Sequence, residues 1–142
     1  MPKVSKSVTI NAAKNRVFDV VTDYAAYKDF IPEIESVEIV KKGASSTDVS
    51  FEVNLVVRTS YTLRFKPKKY QSVDWSLVKG DYMKSNSGSW SFSSVGVNKT
   101  RLTYSTEVEF GWLVPSSVAK ALIEDNLPNM LRLFKKRIEG MI

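Results

Sequence analysis

The chain contains neither histidine nor cysteine, and those two absences decide most of what its side chains can do chemically. Without imidazole there is no ordinary general base near neutral pH and no commonest metal ligand. Triads in which histidine activates a hydroxyl or a thiol are therefore excluded. Without thiols there are no disulfides, which fits a reducing compartment. Among the carboxylates, no spaced pair falls on an apolar face. Glu107 and Glu109 alternate with Thr106, Val108 and Phe110, so they should point to solvent. Asp23 stands where a helix cap is needed. The glycines form no phosphate-binding loop, and no aspartate-rich loop of the calcium-binding type occurs. No residue is assigned a catalytic role, and neither a metal nor a cofactor is expected. Tyr61, Tyr104 and Arg64 are the groups able to polarise a carbonyl, and each fits a structural role better. What remains is apolar chemistry. Phe51, Tyr61, Phe65, Trp75, Trp90, Phe92, Tyr104 and Phe110 recur on the inward positions of alternating segments. Pockets for apolar molecules are lined this way, and so are packed cores; the stripe alone does not separate the two.

Periodicity names the elements that would position these rings. Val4, Val8 and Ile10 share a face in a first strand. Asn11 is a candidate cap for a short helix bearing Val17, Phe18, Val20 and Val21. Asp23 would cap a second, Tyr24 to Phe30, which Pro32 ends because a residue before proline avoids the helical region. Val37 and Ile39 share a face in the next strand, followed by Val49, Phe51, Val53, Leu55 and Val57, then Tyr61, Leu63 and Phe65. After a turn at Pro67-Lys68-Lys69 come Val73, Trp75 and Leu77. A turn at Gly80-Asp81 leads to Trp90 and Phe92, and Val97-Asn98-Lys99 turns the chain into the run Leu102 to Phe110. This spacing predicts an antiparallel meander with one wet face. Pro115 suits a first helical turn. Leu122, Ile123, Leu127, Met130, Leu131, Phe134, Ile138 and Met141 then recur at helical spacing, with Pro128 expected to kink or break the helix near Glu124 to Leu127. The fold class is α+β: a seven-stranded antiparallel sheet wrapped around a long C-terminal helix, with two short helices after strand 1, in a single domain spanning residues 1–142. One helix cannot cover so large a face, so the short helices or a ligand must fill the remainder.

In order and spacing the motifs resemble those of the START-like (SRPBCC, helix-grip) superfamily, and within it the coenzyme Q-binding and polyketide cyclase/dehydrase group. The resemblance rests on Val21-x-Asp23-x-x-x-Tyr27-x-x-Phe30-Ile31-Pro32 followed by Ser36-Val37. It extends through Gly80-Asp81-Tyr82 with Gly88-x-Trp90-x-Phe92, and Thr100-Arg101-Leu102 leading into Glu107-Val108-Glu109-Phe110. The chain departs from the pattern at Asp81-Tyr82, where a Pro-Phe pair is usual. The resemblance implies a helix-grip fold whose short helices close one end of the grip. It also implies a cavity between sheet and C-terminal helix, with Phe30, Val53, Leu55, Tyr61, Leu63, Phe65, Trp75, Trp90, Phe92, Tyr104, Leu122, Leu127, Met130 and Phe134 as ligand-binding residues. Such a cavity would take a lipophilic small molecule, a quinone or a polyprenyl or acyl lipid, without catalysis. Two other readings stay open: a ribosome-associated interaction protein, since the group includes a bacterial ribosome-association toxin, and a polyketide aromatase/cyclase.

The connector Phe110-Gly111-Trp112-Leu113-Val114-Pro115 places Trp112 and Leu113 as a membrane contact or gate, because tryptophan favours the membrane interface. Lys135, Lys136 and Arg137, with Arg132, make a basic end suited to anionic headgroups. The formal net charge of +6 favours anionic partners in general, a ribosome among them. No window is long and apolar enough to span a bilayer, and the N-terminal residues carry no targeting pattern. The expected location is cytoplasmic, with peripheral association at a membrane.

Overall fold

A computed structural model describes residues 3–54, 58–111, 114–121 and 127–140. Strand β1 (Lys3–Ile10) leads into helix α1 (Lys14–Val21) and a 3-10 helix (Tyr24–Asp29). Six strands follow: β2 (Ile34–Lys42), β3 (Thr47–Asn54), β4 (Arg58–Lys68), β5 (Ser72–Gly80), β6 (Met83–Gly96) and β7 (Lys99–Phe110). Two helical segments, α2 (Ser116–Ala121) and α3 (Leu127–Glu139), complete the described chain. The strands form one antiparallel sheet in the order β1-β7-β6-β5-β4-β3-β2, as the alternation predicts. Every sequential pair from β2 onward is a hairpin. Only β1 pairs out of sequence, Val8 opposite Leu102 and Ile10 opposite Thr100. The two short helices carry the chain from one sheet edge to the other.

The two faces of the sheet differ by parity. Inward positions hold Val49, Phe51, Leu63, Phe65, Val73, Trp75, Trp90, Phe92 and Leu102, all buried. The outer face of β6, β7 and β1 is a hydroxyl carpet, in which Ser5 meets Ser105 at 3.0 Å and Ser7 meets Thr103 at 2.9 Å. Helix α1 buries Val17, Phe18, Val20 and Val21; α3 buries Leu131, Phe134 and Ile138. The C-terminal end of α3 is tied to the β1–α1 junction through Glu139. Its carboxylate accepts the Asn11 backbone N–H at 2.8 Å and the Lys135 ammonium at 2.9 Å, and Lys135 also donates to the Thr9 carbonyl at 2.6 Å. These donors hold the Glu139 carboxyl below its ordinary pKa, the Asn11 amide contributing most.

Several local expectations are corrected. Asn11 does not cap α1: Ala13 occupies that position with no side-chain bond, and the Asn11 amide is spent on Glu139. Asp23 does precede the 3-10 helix but makes no capping bond. The turn expected at Pro67 falls two residues later. β4 runs to Lys68, and Tyr70 (φ 62°) makes the turn, its ring held edge-on against Phe18 at 5.3 Å. β3 pairs with β4 only as far as Phe65, so Pro67 lies beyond the ladder on one side, where a proline is tolerated. Tyr82 (φ 64°) and Asn98 (φ 51°) serve the next two hairpins. Pro115 directly precedes α2, and Pro128 sits in the first turn of α3, where its missing N–H costs no helical bond. The break foreseen before Leu127 lies outside the described residues.

Candidate functional site

Three elements close one end of the sheet's concave face. Tyr24 of the 3-10 helix stacks on Phe65 of β4 at 4.3 Å and 21° between ring planes. Tyr27 lies against Phe51 at 6.1 Å and meets the edge of Phe134 of α3 at 5.2 Å, and its hydroxyl donates to the Val21 carbonyl. Phe18 of α1 meets Phe92 edge-on at 5.6 Å. Burial pushes the Tyr24 and Tyr27 hydroxyls up, so both stay neutral. The aromatics of the opening helices therefore seal this end, and Phe65 and Phe92, expected to line a cavity, are covered by them.

Toward the other end the interior is less closed. Trp75, Trp90, Tyr104 and Phe134 form a continuous set, with Trp75 stacked on Tyr104 at 5.1 Å and Trp90 edge-on to both Tyr104 (4.7 Å) and Phe134 (5.0 Å). Leu63 and Val53 share the inward face with them and are buried. Yet Tyr61, Leu77 and Tyr104, all inward by parity, and Met130 of α3 keep accessible surface. Tyr61 stands opposite Gly80, where a Cβ would meet the Tyr61 Cβ at 2.9 Å. Phe30 is half-buried between Phe134 (5.0 Å) and the Arg137 guanidinium (5.3 Å). Leu55, Leu122, Trp112 and Leu113 lie outside the described residues, as does the side chain of Leu127.

A polar network that the sequence reading missed stands behind the rings. The Trp75 indole N–H donates to Asn86 Oδ1 at 3.0 Å, and the Thr106 hydroxyl lies 3.4 Å from that same oxygen and from the Ser87 carbonyl. Asn86 and Thr106 are both buried. Gly88, between them and Trp75, has no room for a side chain: a Cβ would fall 2.2 Å from the Ser105 carbonyl and 2.6 Å from the Trp75 ring. The available signal was parity, since Asn86 and Gly88 share it with Trp90 and Phe92.

Charges stay off this interior among the described residues. Arg64 is on the outer face, paired with Asp48 at 2.9 and 3.1 Å, so it cannot polarise a carbonyl within. That hydrogen-bonded pairing lowers the Asp48 pKa. Lys135 and Arg137 of the expected basic end are engaged by Glu139 and by the Phe30 ring, leaving Lys136 the most exposed of the three. Ile39, expected inward, is instead 41% exposed. It lines a half-open cleft of about 350 Å³ between α1, the 3-10 helix and the start of β3, with Lys42, Thr47 and Pro67.

An open antiparallel sheet curved about a C-terminal helix, its aromatic concave face closed at one end by paired short helices, defines a helix-grip protein. The chain belongs to the family described as polyketide cyclase / dehydrase and lipid transport, whose sequence profile matches residues 10–135. Solved structures of the START superfamily share the fold. The Zhui aromatase/cyclase of a Streptomyces species superposes with a TM-score of 0.89 at 19% identity, covering 97% of this chain and 93% of its own. A START superfamily protein from Mycobacterium smegmatis superposes at 0.87 and 22%, covering 99% of each chain. Among curated proteins, the ribosome association toxin RatA of Escherichia coli is 20% identical over 138 residues, 96% of this chain and 87% of the relative. Among the described residues no helix is long and apolar enough to cross a membrane.

Proposed function

We propose that the chain binds and carries a lipophilic small molecule between the sheet and the C-terminal helix, without transforming it. The ligand classes that fit are a quinone, a polyprenyl lipid or an acyl lipid. The observation that supports this reading is the graded closure of the interior: rings sealed at the end under α1 and the 3-10 helix, but Tyr61, Leu77, Tyr104 and Met130 partly accessible beyond it. Apolar walls with a few fixed polar groups suit such a ligand, and each methylene buried contributes roughly 0.8 kcal/mol. The family's description, which includes lipid transport, agrees. Access would be through the connector that carries Trp112 and Leu113, at an anionic membrane surface. Native mass spectrometry of mildly purified protein, followed by solvent extraction, tests the reading. A stoichiometric apolar adduct is expected. An adduct-free protein that takes up no apolar probe refutes it.

A second reading, association with the ribosome, is favoured by the relative named as a ribosome association toxin and by the net charge of +6. Salt-sensitive cosedimentation with ribosomes, unaffected by an apolar ligand, would establish it in place of the first.

A further inference from the structure

We infer that the molecule held in this interior is a neutral lipophile whose head is a carbonyl-type acceptor, received by the hydroxyls of Tyr61 and Tyr104. The inference rests on the binding reading above and names the chemistry of its ligand.

Tyr61 comes from β4 and Tyr104 from β7, two strands separated in the sheet by β5 and β6. Both project from the concave side, so the curvature of the sheet turns them toward common ground. Their rings are fixed: Tyr61 packs on Phe51 at 5.5 Å, and Tyr104 is held between Trp75 and Trp90. Each nonetheless retains accessible surface where Leu63, Trp75 and Trp90 around them are sealed. The other polar groups of the interior are already committed to one another, the Trp75 indole to Asn86 and the Thr106 hydroxyl to Asn86 and the Ser87 carbonyl. Tyr61 has no hydrogen-bond partner among the described residues. Tyr104 already has the Thr106 hydroxyl as a side-chain partner, so a ligand oxygen would give Tyr61 its first hydrogen bond and Tyr104 a second.

The charge of that ligand follows from what surrounds them. Burial pushes Tyr61 up to about 12 and Tyr104 higher still, Tyr61 adding to the shift. Both are neutral O–H groups at any physiological pH. No cation among the described residues faces them: Arg64 is outside with Asp48, and Arg137 lies over Phe30. A carboxylate placed here would be desolvated without a counter-charge, which is costly, whereas a carbonyl needs only donors.

Three probes of one chain length separate the outcomes: tridecan-2-one, tridecane and tridecanoic acid at neutral pH, each displacing a neutral naphthylamine fluorophore from the full chain. The ketone should displace about tenfold better than the alkane, the weight of one or two neutral hydrogen bonds, and the acid should be weaker than the ketone. Tyr61→Phe and Tyr104→Phe keep every ring contact. They should reduce the ketone's advantage over tridecane several-fold, read as the ratio of the two displacements within each variant. If ketone and alkane bind alike, or the acid binds best and loses that advantage in Arg137→Gln, the carbonyl assignment is overturned while the binding reading stands. If neither probe nor fluorophore binds, the binding reading itself fails.

Discussion

Gly88→Ala should be among the most damaging single-methyl additions in this chain. The added carbon would lie 2.2 Å from the Ser105 carbonyl oxygen, 2.6 Å from Trp75 Cζ2 and 3.0 Å from Thr106 Cα. Two of the three atoms are backbone of β7, to which β6 is hydrogen-bonded on that side, and the third belongs to a ring wedged between Phe65, Trp90 and Tyr104. Neither can retreat without opening the β6–β7 ladder or shifting the aromatic set. Overpacking of this kind costs about 1–3 kcal/mol, occasionally more, and contacts this short place Gly88→Ala at the upper end. The backbone entropy gained by replacing glycine returns only about 0.5–1 kcal/mol. At about 3 °C per kcal/mol for a chain of this size, a net loss of about 2–2.5 kcal/mol lowers the melting temperature by roughly 6–8 °C. Gly96→Ala is the matched control. Its Cβ would find Lys99 Cβ at 3.6 Å, ordinary van der Waals contact, and its φ is not positive. Thermal unfolding followed by tryptophan fluorescence compares the two. A Gly88→Ala protein that melts with the wild type, or a Gly96→Ala protein that falls as far, refutes the steric argument.

Asn86→Leu should destabilise by about 1–3 kcal/mol in urea, because the Trp75 indole N–H and the Thr106 hydroxyl lose their shared acceptor in a dry site. In a double-mutant cycle with Trp75→Phe the two losses should fail to add by more than about 0.5 kcal/mol; strict additivity would remove the hydrogen bond from the account. Glu139→Gln should cost about 1 kcal/mol at neutral pH by weakening its bonds to the Asn11 amide and to Lys135, a figure kept low because the side chain is 28% exposed. The folded Glu139 pKa is lowered, so its stabilisation is complete above the unfolded value of about 4.3 and fades as pH falls through the folded one. The gap between Glu139→Gln and wild type should therefore close in acid, and a gap that widens there contradicts the assignment.

The architecture was legible because its signals are period-two alternation and hairpin punctuation, which depend on residues near in sequence. Val73, Trp75 and Leu77, or Leu102 to Phe110, declare both strand and face without help from the rest of the fold. The failures were also local, and each has a tertiary cause. Asn11 carries the right side chain for a cap, but the cap position falls to Ala13, and the Asn11 backbone N–H donates instead to Glu139, a partner 128 residues away. Pro67 looks like a turn residue, yet the turn goes to Tyr70, a poor left-handed residue by itself, because Phe18 gives its ring a partner. Ile39 has the parity of a core residue, but β2 is an edge strand and Ile39 faces the cleft beside the 3-10 helix rather than the grip.

The candidate site was legible only in its apolar half. Rings on inward positions announce themselves; the polar network among them does not, because it exists only in register. Asn86 sits between Ser85 and Ser87, a setting that reads as wet strand, and the irregularity between Met83 and Ser85 obscures its parity from the N-terminal side. Pairing resolves it. Gly88 lies opposite Trp75 on one side and Thr106 on the other, so the indole crosses the strand at a position with no side chain and reaches Asn86, two residues along the same face. Gly88 and Asn86 thus answer one requirement: a large ring laid flat across a neighbouring strand needs a gap where it passes and an acceptor where its N–H ends. With Trp75 so fixed, Tyr104 is stacked at 5.1 Å with its ring position settled. The same register brings the Thr106 hydroxyl to the Tyr104 hydroxyl as a side-chain partner, so the polar network behind the rings extends to the phenol itself.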